Sequence, residues 1–220
     1  MKHERRVMKE YDYYLFDADG TLFDTTEMIY QCFDYSLRYF NKPMVSREMI
    51  FSNIGLPLKD QIEVYVGNVD EEFLQAYKKV HMEYQLSIYR DYIRLFSGVA
   101  QTLSELQKRG KKCAVVSSRF RKSLDTFLKE MEIRTFFDVV MSPEGTRLHK
   151  PHPEPALKTL ELLECRDASE ALFIGDASFD IECGAGAGTD TAFVNWSRCS
   201  ADSLCVKPTY VIKRMEDLVV

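Results

Sequence analysis

Two carboxylates stand two residues apart in Phe16-Asp17-Ala18-Asp19-Gly20-Thr21-Leu22-Phe23-Asp24, directly after a short apolar run. Side chains two apart in an extended strand share a face, and a turn at Gly20 brings both toward one site. Two carboxylates and a backbone carbonyl make a hard, oxygen-rich surface of the kind Mg²⁺ prefers. A strand end in an open α/β sheet is also where ligands bind. A calcium loop starting at Asp17 would need glycine at its sixth position and glutamate at its twelfth. Here glycine is fourth and Met28 is twelfth. A solvated turn is the plainer reading, and this segment alone does not exclude it.

Three other segments place polar groups after apolar runs or on stiff turns. Cys113–Val116 runs into Ser117-Ser118-Arg119, whose hydroxyls and amides suit a helix N-cap or a phosphate. Ala171–Ile174 runs into Gly175-Asp176-Ala177-Ser178-Phe179-Asp180. That pair of acids can serve a divalent cation directly and through water, or simply begin a helix. Lys150 lies in His149-Lys150-Pro151-His152-Pro153-Glu154-Pro155, where the prolines stiffen the chain and delay the next helix. Such a mount suits a lysine that holds a phosphate against a carboxylate, although a surface lysine is the plain alternative. His149 and His152 read as turn residues, because no third His or Cys stands at ligand spacing. Gly184-Ala185-Gly186-Ala187-Gly188 has Thr189 where a dinucleotide loop needs its last glycine, and it follows a helical stretch. It reads as a helix end and a turn.

The elements that must position these groups are legible from periodicity. Tyr13–Phe16, Cys113–Val116, Phe137–Met141, Ala171–Ile174 and Thr191–Val194 are nearly continuous apolar runs. Runs of that kind suit strands buried on both faces of a parallel sheet. Helical stripes lie between them: Val99, Leu103 and Leu106 with a stop at Gly110; Leu124, Phe127, Leu128 and Met131; Leu157, Leu160 and Leu163. The alternation predicts an α/β fold, a doubly wound Rossmann-like sheet with helices on both faces. Between Thr25 and Tyr92 the pattern is helical only, with stripes at Ile29, Phe33, Leu37 and Phe40 and at Phe73, Tyr77, Val80, Tyr84 and Ile88. The expected organisation is therefore a core of residues 1–24 and 93–220 with an all-helical insert over 25–92. One sheet would line up Asp17, Asp19, Ser117 and Asp176 on a single edge, with Lys150 completing the set.

Composition narrows the partners. With 220 residues, 45% of them hydrophobic, the chain can bury one good core and a small inserted unit. A net charge of −5 excludes a global basic field for nucleic acid. No apolar run is long enough to span a bilayer, so no membrane partner is expected. Met1–Glu10 lacks the apolar stretch of a signal peptide and reads as a loose lead-in. Six scattered cysteines without a CxxC pair point to reduced thiols and a cytoplasmic setting.

At these residues the sequence resembles the haloacid dehalogenase superfamily, in particular its phosphatase-like members with a helical cap. Asp17 to Asp24 matches the first motif, Ser117 the hydroxyl motif, Lys150-Pro151 the lysine motif, and Gly175-Asp176 to Asp180 the acidic motif. Ala18 replaces a bulkier apolar residue, and Ser118-Arg119 stands where Asn or Thr with Lys is more usual. The resemblance implies a Mg²⁺-dependent phosphatase acting on a small-molecule phosphate ester. Asp17 would be the nucleophile and Asp19 the acid and base. Ser117, Ser118 and Lys150 would bind phosphate. Asp17, Asp176 and the backbone carbonyl of Asp19 would hold the metal, with Asp180 as support. An acid at Asp19 disfavours the dehalogenases and the phosphonate-cleaving relatives.

The segment Ile54-Gly55-Leu56-Pro57-Leu58-Lys59 resembles the turn that phosphoglycolate-phosphatase-like and pyrophosphatase-like members aim at the site. Gly55 and Lys59 are accordingly expected to shape substrate choice, Lys59 by meeting a second anionic group. Phosphoglycolate is the named expectation, with a β-phosphoglucomutase-type mutase as the alternative and a non-catalytic phosphate-binding regulator third. The chain is expected to act as a monomer or weak homodimer.

Overall fold

The computed structural model describes residues 8–196 and 199–219, so most of the expected lead-in lies outside the described residues. Along the chain run β1 (Tyr13–Phe16), β2 (Phe23–Asp24), α1 (Thr26–Tyr39), α2 (Arg47–Ser52), α3 (Leu58–Val66) and α4 (Glu71–Tyr92). They are followed by β3 (Arg94–Leu95), α5 (Val99–Lys108), β4 (Lys112–Val116), α6 (Arg121–Glu130), β5 (Val139–Met141) and α7 (Glu154–Leu162). β6 (Ala171–Gly175), α8 (Ser178–Gly186), β7 (Asp190–Val194) and β8 (Tyr210–Ile212) close the set.

Six strands form one parallel sheet in the order β5-β4-β1-β6-β7-β8. The chain builds outward from β1 first to one side and then to the other. The topological switch point, where α/β sheets bind ligands, therefore lies at the end of β1. Register does the rest. Phe16 pairs with Val115 on one neighbour and Ile174 on the other, so the residues that follow leave the sheet at one edge. Alternate strand residues face opposite layers. Tyr14, Phe16, Val115 and Ile174 pack into one apolar cluster, and Leu15, Ala114, Val116 and Phe173 into a second. Each face is covered by helices, which is why these strands read as unbroken apolar runs.

The five expected strands are present, with Phe137 just before its strand rather than in it. A sixth, β8, was not read from the sequence. A short antiparallel ribbon also escaped notice. It pairs Phe23 with Leu95, so the chain leaves the core and re-enters it side by side. Between them, α1 to α4 build a further apolar cluster that includes Ile29, Phe33, Leu37, Ile62, Leu74 and Tyr77, while Met28, Cys32 and Tyr89 join the core of the sheet.

Two helical stripes sit differently from expectation. On α4 the buried face is Leu74, Tyr77, His81, Gln85 and Tyr89, one residue round from the apolar series. The insert turns two polar side chains inward there, so hydrophobicity alone gave the wrong face. On α7, Leu157 is 48% exposed, and Ala156, Thr159 and Leu160 take the core side. Among the described residues no helix is long and apolar enough to cross a membrane.

Candidate active site

Asp17 is the first residue past β1, and its amide donates to Ile174 O at 2.8 Å, continuing the ladder. The carboxylate is buried. Lys150 meets it from the proline-stiffened segment, with Nζ at 2.5 Å from Asp17 Oδ1. The same ammonium donates to Asp180 Oδ1 at 2.7 Å and to Val116 O at 3.1 Å, which uses all three of its protons. Burial opposes the Lys150 charge more than any other single influence. The pull of Asp17 and Asp180 outweighs it and holds the ammonium above its usual range.

Asp180 is itself fixed, accepting the amides of Asp176 and Ala177 at 3.1 and 3.0 Å through Oδ2. One oxygen each from Asp17, Asp176 and Asp180 lies within 4.8 Å of the others, a spacing that can hold a metal ion. Gly20 makes room for this arrangement. Its φ is +88°, and a Cβ there would fall 2.2 Å from Asp176 Oδ2. Burial pushes Asp17 up to about 7 against the pull of Lys150. Asp176 is pushed well above the carboxylate range, first by burial and then by Asp180 and Asp17. Counting Asp19, four carboxylates gather around two cations, Lys150 and Arg119. A divalent cation matches the excess, and an all-oxygen donor set suits Mg²⁺.

Asp19 is not part of that cluster. Thr25 Oγ1 donates to its Oδ1 at 2.6 Å, while Arg119 grips both oxygens, Nη2 at 2.7 Å from Oδ1 and Nε at 2.9 Å from Oδ2. Three hydrogen bonds hold this carboxylate, so the backbone carbonyl of Asp19 is the better candidate ligand for a cation. The third guanidinium nitrogen of Arg119, Nη1, donates to Gln85 Oε1 on α4 at 2.7 Å. One arginine therefore ties the strand-end acid to the helical insert.

Ser117 is the first residue past β4, and its Oγ accepts the amide of Arg119 at 3.1 Å. Its proton remains available to a phosphate oxygen. Ser118 differs, because its hydroxyl donates across to Gly55 O at 2.8 Å. Gly55 has φ +107°, and a Cβ there would lie 3.2 Å from Phe179. The turn of the insert thus rests on the loop that carries Asp176. Between insert and sheet lies a cavity of about 70 Å³ with Asp17, Asp19 and Ser117 at its floor. Lys59 is not among its lining residues. That side chain is 53% exposed and faces Glu63 at 3.7 Å, so its expected reach to an anionic substrate group has no support in its position.

Sequence reasoning passed over Arg119, Gln61, His81 and Gln85, which all line the cavity. Arg119 was noted only as a departure beside Ser117. The other three are polar residues on helices and resemble solvent-facing positions until the fold turns them inward.

The haloacid dehalogenase-like hydrolase family model matches residues 14–194. Pyrophosphatase PpaX of Bacillus mycoides (strain KBAB4) is 34% identical over 206 residues, spanning 93% of this chain and 94% of that protein. The PpaX of Bacillus cereus (strain Q1) is 33% identical, covering 93% of each chain. Of solved structures, a haloacid dehalogenase-like hydrolase from Bacteroides fragilis superposes with a TM-score of 0.87 at 27% identity, covering 96% of this chain and 100% of that one. A predicted phosphoglycolate phosphatase from Haemophilus somnus 129pt shares the fold, with a TM-score of 0.85 at 22% identity over 96% of this chain and 98% of that one. The matched span takes in every strand end that carries the site, and this chain belongs to the haloacid dehalogenase-like hydrolases.

Proposed function

We propose that this hydrolase is a Mg²⁺-dependent phosphatase that cleaves a small phosphate ester through a phosphoryl group carried on Asp17. One observation carries the reading: buried Lys150 bridges Asp17 and Asp180 beside Asp176, with a second acid, Asp19, at the same strand end. An aspartate so placed is a nucleophile on a rigid mount. The relatives named pyrophosphatase PpaX support phosphoryl chemistry of this kind.

The steps follow from the residues. Asp17 attacks phosphorus, the bond from phosphorus to the ester oxygen breaks, and Asp19 gives that oxygen a proton. Asp19 then takes a proton from the water that attacks the acyl phosphate, and inorganic phosphate leaves with Asp17 restored. Donating that first proton requires Asp19 to give up at least one contact with Arg119. Ser117 holds a phosphoryl oxygen as charge shifts, and the Lys150 ammonium beside Asp17 offsets that charge. Asp17, Asp176 and the carbonyl of Asp19, with Asp180 in support, would hold Mg²⁺, which would supply charge neutralisation for the transferring group.

The insert over residues 25–92 acts in this reading as a cap that encloses the substrate. The Ser118–Gly55 and Arg119–Gln85 hydrogen bonds tie it to the core beside the cavity, and Tyr89 and Arg90 tie it to Glu130 on α6. Cysteines scattered without paired spacing favour a reducing, cytoplasmic setting. A panel of phosphate monoesters assayed with Mg²⁺ tests the whole. Phosphate release that stops in excess EDTA is expected. Release undiminished by the chelator, or none from any ester, contradicts the reading.

A further inference from the structure

We propose, resting on the phosphatase reading above, that the leaving group is a small uncharged alcohol bearing a second hydroxyl, and that Gln61 binds this hydroxyl. Pyrophosphate and phosphoglycolate, for which similar proteins are named, each carry a negative charge on the leaving end. The cavity of this chain is built otherwise.

Among the described residues Arg119 is the only cation that lines the cavity. Its guanidinium is committed, through Nε and Nη2 to Asp19 and through Nη1 to Gln85. Lys150 lies behind Asp17 with every proton used. The nearby lysines of the insert are not among the lining residues either. Lys59 faces Glu63, and Lys78 lies over the ring of Phe120, 5.8 Å from its centroid, without lining the cavity. His81 lines the wall but adds no charge, because burial, helped by Arg119, brings its pKa down to about 3. A carboxylate or phosphate brought here as leaving group would meet Asp17 and Asp19 with no free side-chain cation to offset it. Burying an unpaired anion is among the most costly things a site can do.

Gln61 supplies the positive half of the argument. It is 8% exposed, and its Nε2 donates to Leu56 O at 2.8 Å, which fixes the orientation of the amide. No donor among the described residues reaches its buried Oε1. A buried acceptor without a partner is destabilising, and a ligand donor repairs it. A hydroxyl can donate, whereas a carboxylate or an ionised phosphate only accepts. Phe33, Leu56 and Met82 line the same cavity and suit the carbon skeleton between phosphate and hydroxyl.

A matched set of substrates decides the matter: 2-hydroxyethyl phosphate, ethyl phosphate, phosphoglycolate and pyrophosphate, each with Mg²⁺. The first and third differ only in a CH₂OH against a carboxylate. We expect kcat/KM for 2-hydroxyethyl phosphate to exceed that for phosphoglycolate by about 100-fold, the scale set by an unpaired buried charge. It should exceed that for ethyl phosphate by up to about tenfold, the worth of one neutral hydrogen bond. Gln61→Leu should reduce the value for 2-hydroxyethyl phosphate more than that for ethyl phosphate, by roughly the same tenfold. Phosphoglycolate or pyrophosphate turned over as well as 2-hydroxyethyl phosphate overturns the inference and leaves the phosphatase reading standing. So does a Gln61→Leu variant that slows both neutral esters alike. The wild-type comparison stands even if that variant does not fold. No phosphate released from any ester removes the phosphatase reading, and this inference with it.

Discussion

Arg119 holds both carboxylate oxygens of Asp19, at 2.7 and 2.9 Å, in a pair whose side chains are only 6% and 13% exposed. The fork geometry fixes the direction of the acid. Through Gln85 the same arginine feels the position of the insert.

Arg119→Met should therefore cost stability and turnover together. Breaking a buried pair by removing one partner costs about 3–5 kcal/mol. Urea denaturation should show a loss of that order. Kinetically, kcat should fall much more than KM rises, because Asp19 is misdirected while the phosphate ligands remain. Arg119→Lys should restore part of kcat. If both variants keep kcat within about twofold of wild type, Arg119 does not position Asp19.

Metal binding should be visible without any assay of activity. At a concentration about 100 times its Kd, Mg²⁺ adds about 2.7 kcal/mol to stability. For a chain of this length that raises Tm by roughly 5–10 °C. Asp176→Asn should abolish the rise. So should Gly20→Ala, whose methyl would occupy the Asp176 carboxylate. A Mg²⁺ response that survives in both variants would place the ion elsewhere.

His81 gives the stability a pH dependence with a definite sign. Folded, its pKa lies near 3 instead of 6.5 because burial disfavours the charged ring. Between those values the unfolded chain binds the extra proton. The contribution is thus full above pH 6.5 and is lost as pH falls toward 3. The slope for one such group approaches about 1.4 kcal/mol per pH unit. Denaturation of wild type and His81→Asn across this window should give a flatter profile for the variant. Parallel profiles would show that the ring is not held neutral by the fold.

How much of this could be read beforehand depended on distance along the chain. Asp17, Ser117 and Asp176 each follow an unbroken apolar run, so local pattern marked them, and a parallel sheet was enough to bring them together. Lys150 was marked by its prolines. β8 escaped because it is three residues long, with Val211 49% exposed at the sheet edge. The Asp19–Arg119 pair joins residues 100 positions apart, and nothing local signals it. Gln61, His81 and Gln85 looked like the polar sides of helices. They face inward because α1, α3 and α4 close on one another and on the sheet, a fact of packing rather than of pattern. Lys59 shows the converse, since a residue in a suggestive segment turned out to face solvent.

Asp17→Asn should fold and be inactive. An amide is a poor nucleophile and an uncharged ligand, so attack and metal binding weaken together. Activity within about tenfold of wild type, about 1.4 kcal/mol in barrier, would exclude Asp17 as nucleophile.

The central claim is a phosphoryl group carried on Asp17, and Asp19→Asn exposes it. An aryl phosphate has a leaving group that hardly needs a proton, whereas the attacking water needs a base in every case. With p-nitrophenyl phosphate, Asp19→Asn should give an early burst of p-nitrophenolate and then stall. Rapidly quenched samples carrying labelled phosphate should hold an acid-stable, base-labile acyl phosphate that maps to Asp17. An alkyl ester should give neither. The backbone carbonyl of residue 19 survives the substitution, so the Mg²⁺-dependent rise in Tm should persist and exclude metal loss as the cause. Labelled protein at Asp17 with a stalled second step is the predicted result. Steady wild-type turnover of alkyl esters by the variant, or no trapped phosphoprotein in either form, would contradict the account.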